Sequence, residues 1–216
     1  MPDREALIDA ALTHVPFEGM NDRAISAGAR DIGLAPALVR AFLPEGGAGL
    51  AAAYHRRGDR ALRDWLAAYP PQGRMRNRIA TALRHRLEIA DPELVRAGSA
   101  VLALPQNAAL GARLLGETAD VIWDGLGDSS DDVAWWTKRA SLGAVYGATV
   151  LYWLGDTSEG KADSWAFLDR RIDNVMGFER LKAQVAKVPG VSAATRLATG
   201  WIHAPKPRDL PGGTRP

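Results

Sequence analysis

The sequence predicts an all-α protein, and three observations predict it. Apolar residues recur at three- and four-residue spacing along most of the 216 residues, the period of one helix face. Glycine and proline break that pattern where helices would end, at Gly33, Pro44, Pro70-Pro71, Pro105 and Pro189-Gly190. Nothing reads as a series of strands. The length suffices for one large or two small domains with a real core.

Hydrophobic residues make up 47% of the chain and charged residues 24%, the balance of an ordinary soluble globular protein. The absence of cysteine excludes disulfides, thiolate zinc sites and cysteine nucleophiles. Four scattered histidines argue against a His-based metal site. The N-terminus leads straight into a helix-like segment rather than a signal peptide, and no run of about 18 apolar residues could span a membrane. A cytoplasmic bacterial protein is expected, and the Ala- and Arg-rich usage fits a GC-rich genome. The net charge of +2 says little, but its distribution says more. Nine arginines crowd residues 54–86, and six acids with no base fill 116–132. Such asymmetry marks either a surface that meets a charged partner or a solvated helix face.

In chain order, Asp3 caps a helix over 3–14 through Leu7, Ile8, Ala11 and Leu12. Asp22 caps a second over 23–32, ended by Gly33. Pro36 opens a short third helix over 36–42, stopped by Pro44 and Gly46-Gly47. This is the layout of a helix-turn-helix. It resembles the N-terminal module of TetR-type regulators, in which a glycine opens the turn and an aromatic closes the recognition helix. A recognition helix needs polar side chains near its N-terminus to read base edges. Leu34, Ala35, Pro36, Ala37 and Leu38 stand there instead, with Arg40 the only strong donor. The module is degenerate, and no sequence-specific DNA binding is expected.

Further helices follow over 49–69, 74–89, from Asp91-Pro92 to Pro105, and 107–126. The acids of the 127–132 loop suit the N-terminus of the next helix. That helix, 133–154, is the most apolar. Trp135, Trp136, Leu142, Tyr146, Val150 and Trp153 point all round it, with Gly143, Ala144, Gly147 and Ala148 between them. Small residues permit either close helix packing or an aromatic-walled cavity for an elongated apolar ligand. The next helix, 163–176 and onward to 187, carries Trp165, Leu168, Ile172, Val175 and Met176 on one stripe and Phe167 off it. It reads either as a core helix with charged flanks or as a docking helix with an aromatic anchor. After Pro189-Gly190 comes a short amphipathic segment with Leu197, Trp201 and Ile202 on one face, which suits a bilayer interface or folding back on the domain. The tail is Pro- and Gly-rich and reads as disordered. No phosphate loop, GxSxG or HExxH appears, so neither catalytic nor metal residues are assigned.

The segment Asp163, Ser164, Trp165, Ala166, Phe167, Leu168, then Arg171, Ile172, Asp173 and Met176, resembles the C-terminal signature of the coenzyme Q nine family of ubiquinone-biosynthesis lipid-binding proteins. The resemblance implies a TetR-like helical bundle with a degenerate N-terminal helix-turn-helix and a C-terminal amphipathic helix. It also implies a non-enzymatic homodimer, without a cofactor of its own, that holds isoprenoid or quinone lipid and presents it to the demethoxyubiquinone hydroxylase. The lipid would lie against Trp135, Trp136, Leu142, Tyr146, Gly147, Val150 and Trp153. Trp165 would dock the hydroxylase, with Asp163 and Arg171 beside it, while Leu168, Ile172 and Met176 hold the helix to the core. A fully buried Trp165 would contradict that role. The terminal helix would touch the membrane through Leu197, Trp201 and Ile202, giving a location on the bacterial inner membrane. The expected divisions are a helix-turn-helix-like module (1–45), a lipid-binding domain (46–188), the terminal helix (189–204) and the tail (205–216). The competing reading is a TetR-type transcriptional regulator with an apolar ligand pocket.

Overall fold

Local signals place most helix ends. The structure is a computed structural model that describes residues 2–130 and 133–185, the side chains of 133 and 176–185 excepted. Asp3 accepts the Ala6 N–H and caps α1 (Arg4–Glu18). Pro36 opens α3 (Pro36–Phe42), as its fixed φ and missing N–H favour. Asp91 accepts from the backbone of Glu93 and Leu94 to cap α6 (Pro92–Leu102). The remaining helices are α2 (Asp22–Asp31), α4 (Gly46–Ala68), α5 (Met75–Glu88), α7 (Ala108–Gly125), α8 (Val133–Gly155) and α9 (Ala162–Val185). Among the described residues there is no strand.

Three boundaries differ from expectation. Asn21, not Asp22, caps α2: Asn21 has extended backbone and accepts from Arg23 and Ala24, whereas Asp22 is already helical. Helix α1 continues through Pro16 to Glu18. Pro16 lacks the N–H that would bond the Leu12 carbonyl, a loss the helix bears within one turn of its end, and Gly19 N–H closes that turn on the Val15 carbonyl. Gly46-Gly47 opens α4 rather than stopping α3. A Cβ on Gly47 would lie 2.3 Å from the Met20 carbonyl, so glycine lets this first turn press against the chain between α1 and α2.

Two apolar clusters share α4 as a spine of 23 residues, roughly 35 Å long at 1.5 Å per residue. Its N-terminal half gives Leu50, Ala51 and Ala53 to a cluster with Leu7, Ile8, Leu12 and Val15 of α1 and Ile25 of α2. Its C-terminal half gives Leu62 and Leu66 to a second cluster. There they meet Ile79, Leu83 and Leu87 of α5, Ile122 of α7, Val145 and Trp153 of α8, and Leu168 and Ile172 of α9. The expected terminal helix (189–204), with Leu197, Trp201 and Ile202, the tail (205–216) and the Met176 side chain lie outside the described residues.

Candidate functional site

A cavity of about 470 Å³ lies among α4, α5, α6, α7 and α8, a volume typical of small-molecule sites. Leu94, Val95 and Leu102 of α6, with Leu114 and Leu115 of α7, make an apolar wall. Helix α8 contributes Ala144, Tyr146, Gly147, Ala148, Val150 and Leu151. Its small residues thus do both things the sequence left open: Leu115 packs closely against Gly147, and the same stretch lines the cavity.

One corner of the cavity is polar, where Tyr54 and His55 of α4, Arg86 of α5 and Tyr146 of α8 meet. Arg86 is only 3% exposed. Its Nε donates to Asp59 Oδ1 at 2.8 Å and its Nη2 to the His55 carbonyl at 2.9 Å. Thr118 Oγ1 lies 3.0 Å from both Asp59 carboxylate oxygens and 2.8 Å from His55 Nε2. Since that hydroxyl donates to Asp59, it accepts from His55, and the Leu114 carbonyl 3.2 Å away also requires a proton on Nε2. Burial lowers the His55 pKa, Asp59 opposes that and Arg86 adds to it, with a net downward shift. His55 is therefore a neutral hydrogen-bonding ring near pH 7, despite lying 3.4 Å from Asp59. Burial pushes the Tyr146 phenol up to about 12, partly offset by Arg86, so it stays protonated as a donor. Gly58 makes room for this corner: a Cβ there would stand 2.5 Å from Arg86 Cζ.

Of the residues expected to hold lipid, Tyr146, Gly147 and Val150 line this cavity. Leu142 lines a separate hollow of about 340 Å³ between α5, α8 and α9. Trp123 lines that hollow too, and its buried indole N–H has no hydrogen-bond partner among the described residues. Trp153 is buried in the core under Lys161. Trp135 packs on Arg139 and edge-on to Trp136, which is largely exposed. A larger hollow of about 1210 Å³ is an open groove along α2 and α3, rimmed by Asp22, Arg23, Arg30, Arg40 and Glu45. Ile25, Leu34, Val39 and Leu43 line it as well, so its wall mixes charged and apolar side chains.

Among the described residues the two charge runs meet in one ion pair and are otherwise answered by other helices. Arg56 pairs with Glu117 through two hydrogen bonds of 2.7 and 3.0 Å. Arg139, buried on α8, collects Asp120, Asp124 and Asp128 around one guanidinium. Arg57 reaches Glu5 and Asp9 on α1, and Arg76 reaches Asp169 and Asp173 on α9. These pairs bind helices to one another.

The loop before α9 fixes how that helix is presented. Asp156 accepts from the backbone N–H and hydroxyl of both Ser158 and Ser164. Those bonds, with the serine hydroxyls foremost, hold its carboxyl well below the usual range. Trp165 is half-buried: its Nε1 donates to the Gly160 carbonyl at 2.8 Å, and the Arg84 guanidinium lies 4.9 Å from its ring centroid. Asp163 and Arg171 are exposed. Arg171 lies over Phe167, whose ring stacks on Tyr152 at 4.5 Å. The three residues expected to dock a partner therefore fall on two faces of α9, with Trp165 toward α5 and the other two beside Phe167.

Residues 108–179, which run from α7 through the loop to α9, match the COQ9 family model. The ubiquinone biosynthesis protein COQ9 of Drosophila melanogaster is 32% identical over 84% of this chain and 57% of its own length. The rat protein of that name is 30% identical over 83% of this chain and 60% of its own. The chain carries a COQ9 domain and is a homologue of the COQ9 proteins. It spans about three fifths of the length of these two relatives. The COQ9 domain contains every residue expected above for lipid contact and docking, and Tyr54, His55, Asp59 and Arg86 lie before it. The fold is TetR-like: a TetR transcriptional regulator from Nitrosomonas europaea superposes with a TM-score of 0.60 at 15% identity, over 80% of this chain and 97% of its own. The COQ9 relatives overturn one expectation. The fly, rat and human proteins are all named mitochondrial, against the bacterial cytoplasmic location expected above. That expectation rested on seeing neither a signal peptide nor a membrane-long apolar run, with Ala and Arg usage in keeping with a GC-rich genome, and none of these marks a compartment.

Proposed function

We propose that this chain acts in ubiquinone biosynthesis as a lipid-binding accessory protein that holds an isoprenoid or quinone lipid and presents it to the demethoxyubiquinone hydroxylase. The cavity among α4 to α8 carries this reading, being apolar on most sides, with Ser99 on its α6 wall and Tyr54, His55, Arg86 and Tyr146 gathered at one corner. The names of the COQ9 relatives supply the pathway. Burying an isoprenoid chain against Leu94, Val95, Leu102, Leu114 and Leu115 gains roughly 25 cal/mol per Å² of apolar surface, which substitutes for the bilayer. No nucleophile or proton transfer is asked of this chain. Helix α9 would meet the hydroxylase through Asp163, Trp165 and Arg171. Homodimerisation and a membrane contact through Leu197, Trp201 and Ile202 belong to the same reading.

Mass spectrometry of lipid extracted from the purified protein tests it, and isoprenoid or quinone lipid is the expected result. Gly147→Trp should strip that lipid while leaving the protein helical. Leu115 Cδ1 already lies 2.9 Å from the position of an added Cβ, so the indole has to take cavity space. Finding no lipid in the purified protein and no binding of added quinone would refute the proposal.

A further inference from the structure

The polar corner of the cavity goes beyond what storage of an apolar chain requires. A tail needs only the leucines and valines of α6 and α7, and buried polar groups are costly wherever their hydrogen-bonding capacity goes unused. The charges of this corner cancel, because the buried Arg86 guanidinium is hydrogen-bonded to the buried Asp59 carboxylate. Its hydrogen-bonding capacity is only partly used. Arg86 bonds through Nε and Nη2, His55 through Nε2 alone, and the Tyr146 phenol makes no hydrogen bond among the described residues.

We propose that Arg86, Tyr146 and His55 form a head-group subsite for a neutral, oxygen-bearing ring, a quinone or its phenol, and that the subsite selects against anionic lipids. The proposal rests on the lipid-binding reading above and specifies its ligand. A ring carbonyl accepts from the Tyr146 hydroxyl or from Arg86 Nη1, and a ring hydroxyl donates to His55 Nδ1, whose lone pair is left by the Nε2–H tautomer. A carboxylate or phosphate fits poorly. It would be buried beside a guanidinium that Asp59 has already neutralised, and the cost of desolvating it would not be returned. A pure hydrocarbon leaves the donors unpaired. The corner is also placed to orient a ligand. His55 and Tyr146 ring centroids are 6.2 Å apart and Arg86 Cζ is 6.0 Å from the Tyr146 ring, while the apolar wall of α6 and α7 is left to the tail.

Tyr146→Phe is the discriminating variant, since it removes one oxygen that bonds nothing in the unliganded protein and should melt as the wild type does. The delipidated full chain is titrated with three probes: a ubiquinone with a two-isoprene tail, palmitate, and the hydrocarbon farnesene. The wild type should bind the ubiquinone at least about tenfold tighter than palmitate, the scale of one poorly solvated buried charge. Tyr146→Phe should weaken the ubiquinone roughly three- to tenfold, the worth of one hydrogen bond, and leave farnesene unchanged. Palmitate binding as tightly as the ubiquinone would overturn the subsite, as would a Tyr146→Phe effect that is absent or equal for all three probes. In those cases lipid binding itself stands. Failure of every probe to bind the wild type would overturn both.

Discussion

Arg86→Met should be among the most damaging single substitutions in this chain, and its cost can be worked from the contacts. The side chain is 3% exposed and Asp59 is 4% exposed. Replacing Arg86 removes the 2.8 Å bond to Asp59 and the 2.9 Å bond to the His55 carbonyl. Asp59 then keeps only the Thr118 hydroxyl and a neutral imidazole. Breaking a buried ion pair from one side costs about 3–5 kcal/mol. For a domain of this size 1 kcal/mol moves Tm by about 2–4 °C, so Tm should fall by roughly 6–20 °C. The second half of the test is Arg86→Met with Asp59→Leu. Replacing the whole pair by apolar side chains is often neutral or better, so the double variant should recover most of the loss. Thermal and urea unfolding of wild type, both single variants and the double variant give the coupling energy directly. An Arg86→Met protein within about 1 kcal/mol of wild type, well below the cost of an orphaned buried charge, would refute the reasoning. So would a double variant as unstable as the single.

The same corner should make stability depend on pH. The His55 pKa is lowered in the folded state, so below its ordinary value of 6.5 the unfolded chain binds more protons than the folded one. Stability should therefore fall as pH drops through the mildly acidic range. His55→Gln should flatten that slope in pH-dependent melting more than His85→Gln, whose ring is also shifted downward by burial but is less enclosed; equal slopes in wild type and His55→Gln would count against it. Asp156→Ala removes the acceptor for four hydrogen bonds from Ser158 and Ser164. Hydrogen exchange should quicken at the first turns of α9 before it changes in α4, and uniform acceleration would assign Asp156 a global role instead. For docking, Arg171→Ala should weaken capture of the hydroxylase without lowering Tm, and Phe167→Ala should weaken it with a modest fall in Tm, because its ring stacks on Tyr152 of α8. Trp165→Ala should lower Tm as well, because its ring packs on the second cluster and its N–H holds Gly160. If only Trp165→Ala affects capture, the contact surface lies on the α5 side of α9.

Helix starts were legible because their causes are local. Asp3, Asp91-Pro92 and Pro36 each act within three residues of themselves. The glycines at 46 and 47 were misread as a stop because their use, a close approach to the Met20 carbonyl, depends on a segment distant in sequence. The polar corner was hidden for the same reason: Arg86 meets Asp59 across 27 residues, and Thr118 meets it across 59. Inside a run of nine arginines, nothing in composition distinguishes the buried one. A signal was present in the periodicity. His55 and Asp59 continue the stripe of Leu62 and Leu66 on α4, and Arg86 lies between Leu83 and Leu87 on the inner face of α5. Polar residues on a buried stripe need partners, and the two stripes supply each other's.

The geometry of α9 bears on how a lipid could be handed over. At about 100° per residue, Asp163, Phe167 and Arg171 recur every four positions and share one line along the helix. Trp165 stands well to one side of it, over Arg84. A partner that covers the Trp165 ring therefore meets α5, whereas one that covers Phe167 meets Tyr152 of α8. Leu151 of α8 lines the cavity and is 69% exposed, so the cavity reaches the surface on α8, one residue from Tyr152 in sequence. A lipid passed directly from cavity to enzyme has to leave beside the contact between the two proteins, because each exposed stretch of isoprenoid forfeits the apolar burial that held it. If the chain presents lipid as proposed, a contact on the Phe167 face would lie beside the α8 stretch that opens the cavity, whereas a contact on Trp165 would lie against α5. Trp165 itself holds the Gly160 turn and, with Asp156 and Ser164, sets the angle at which α9 leaves α8.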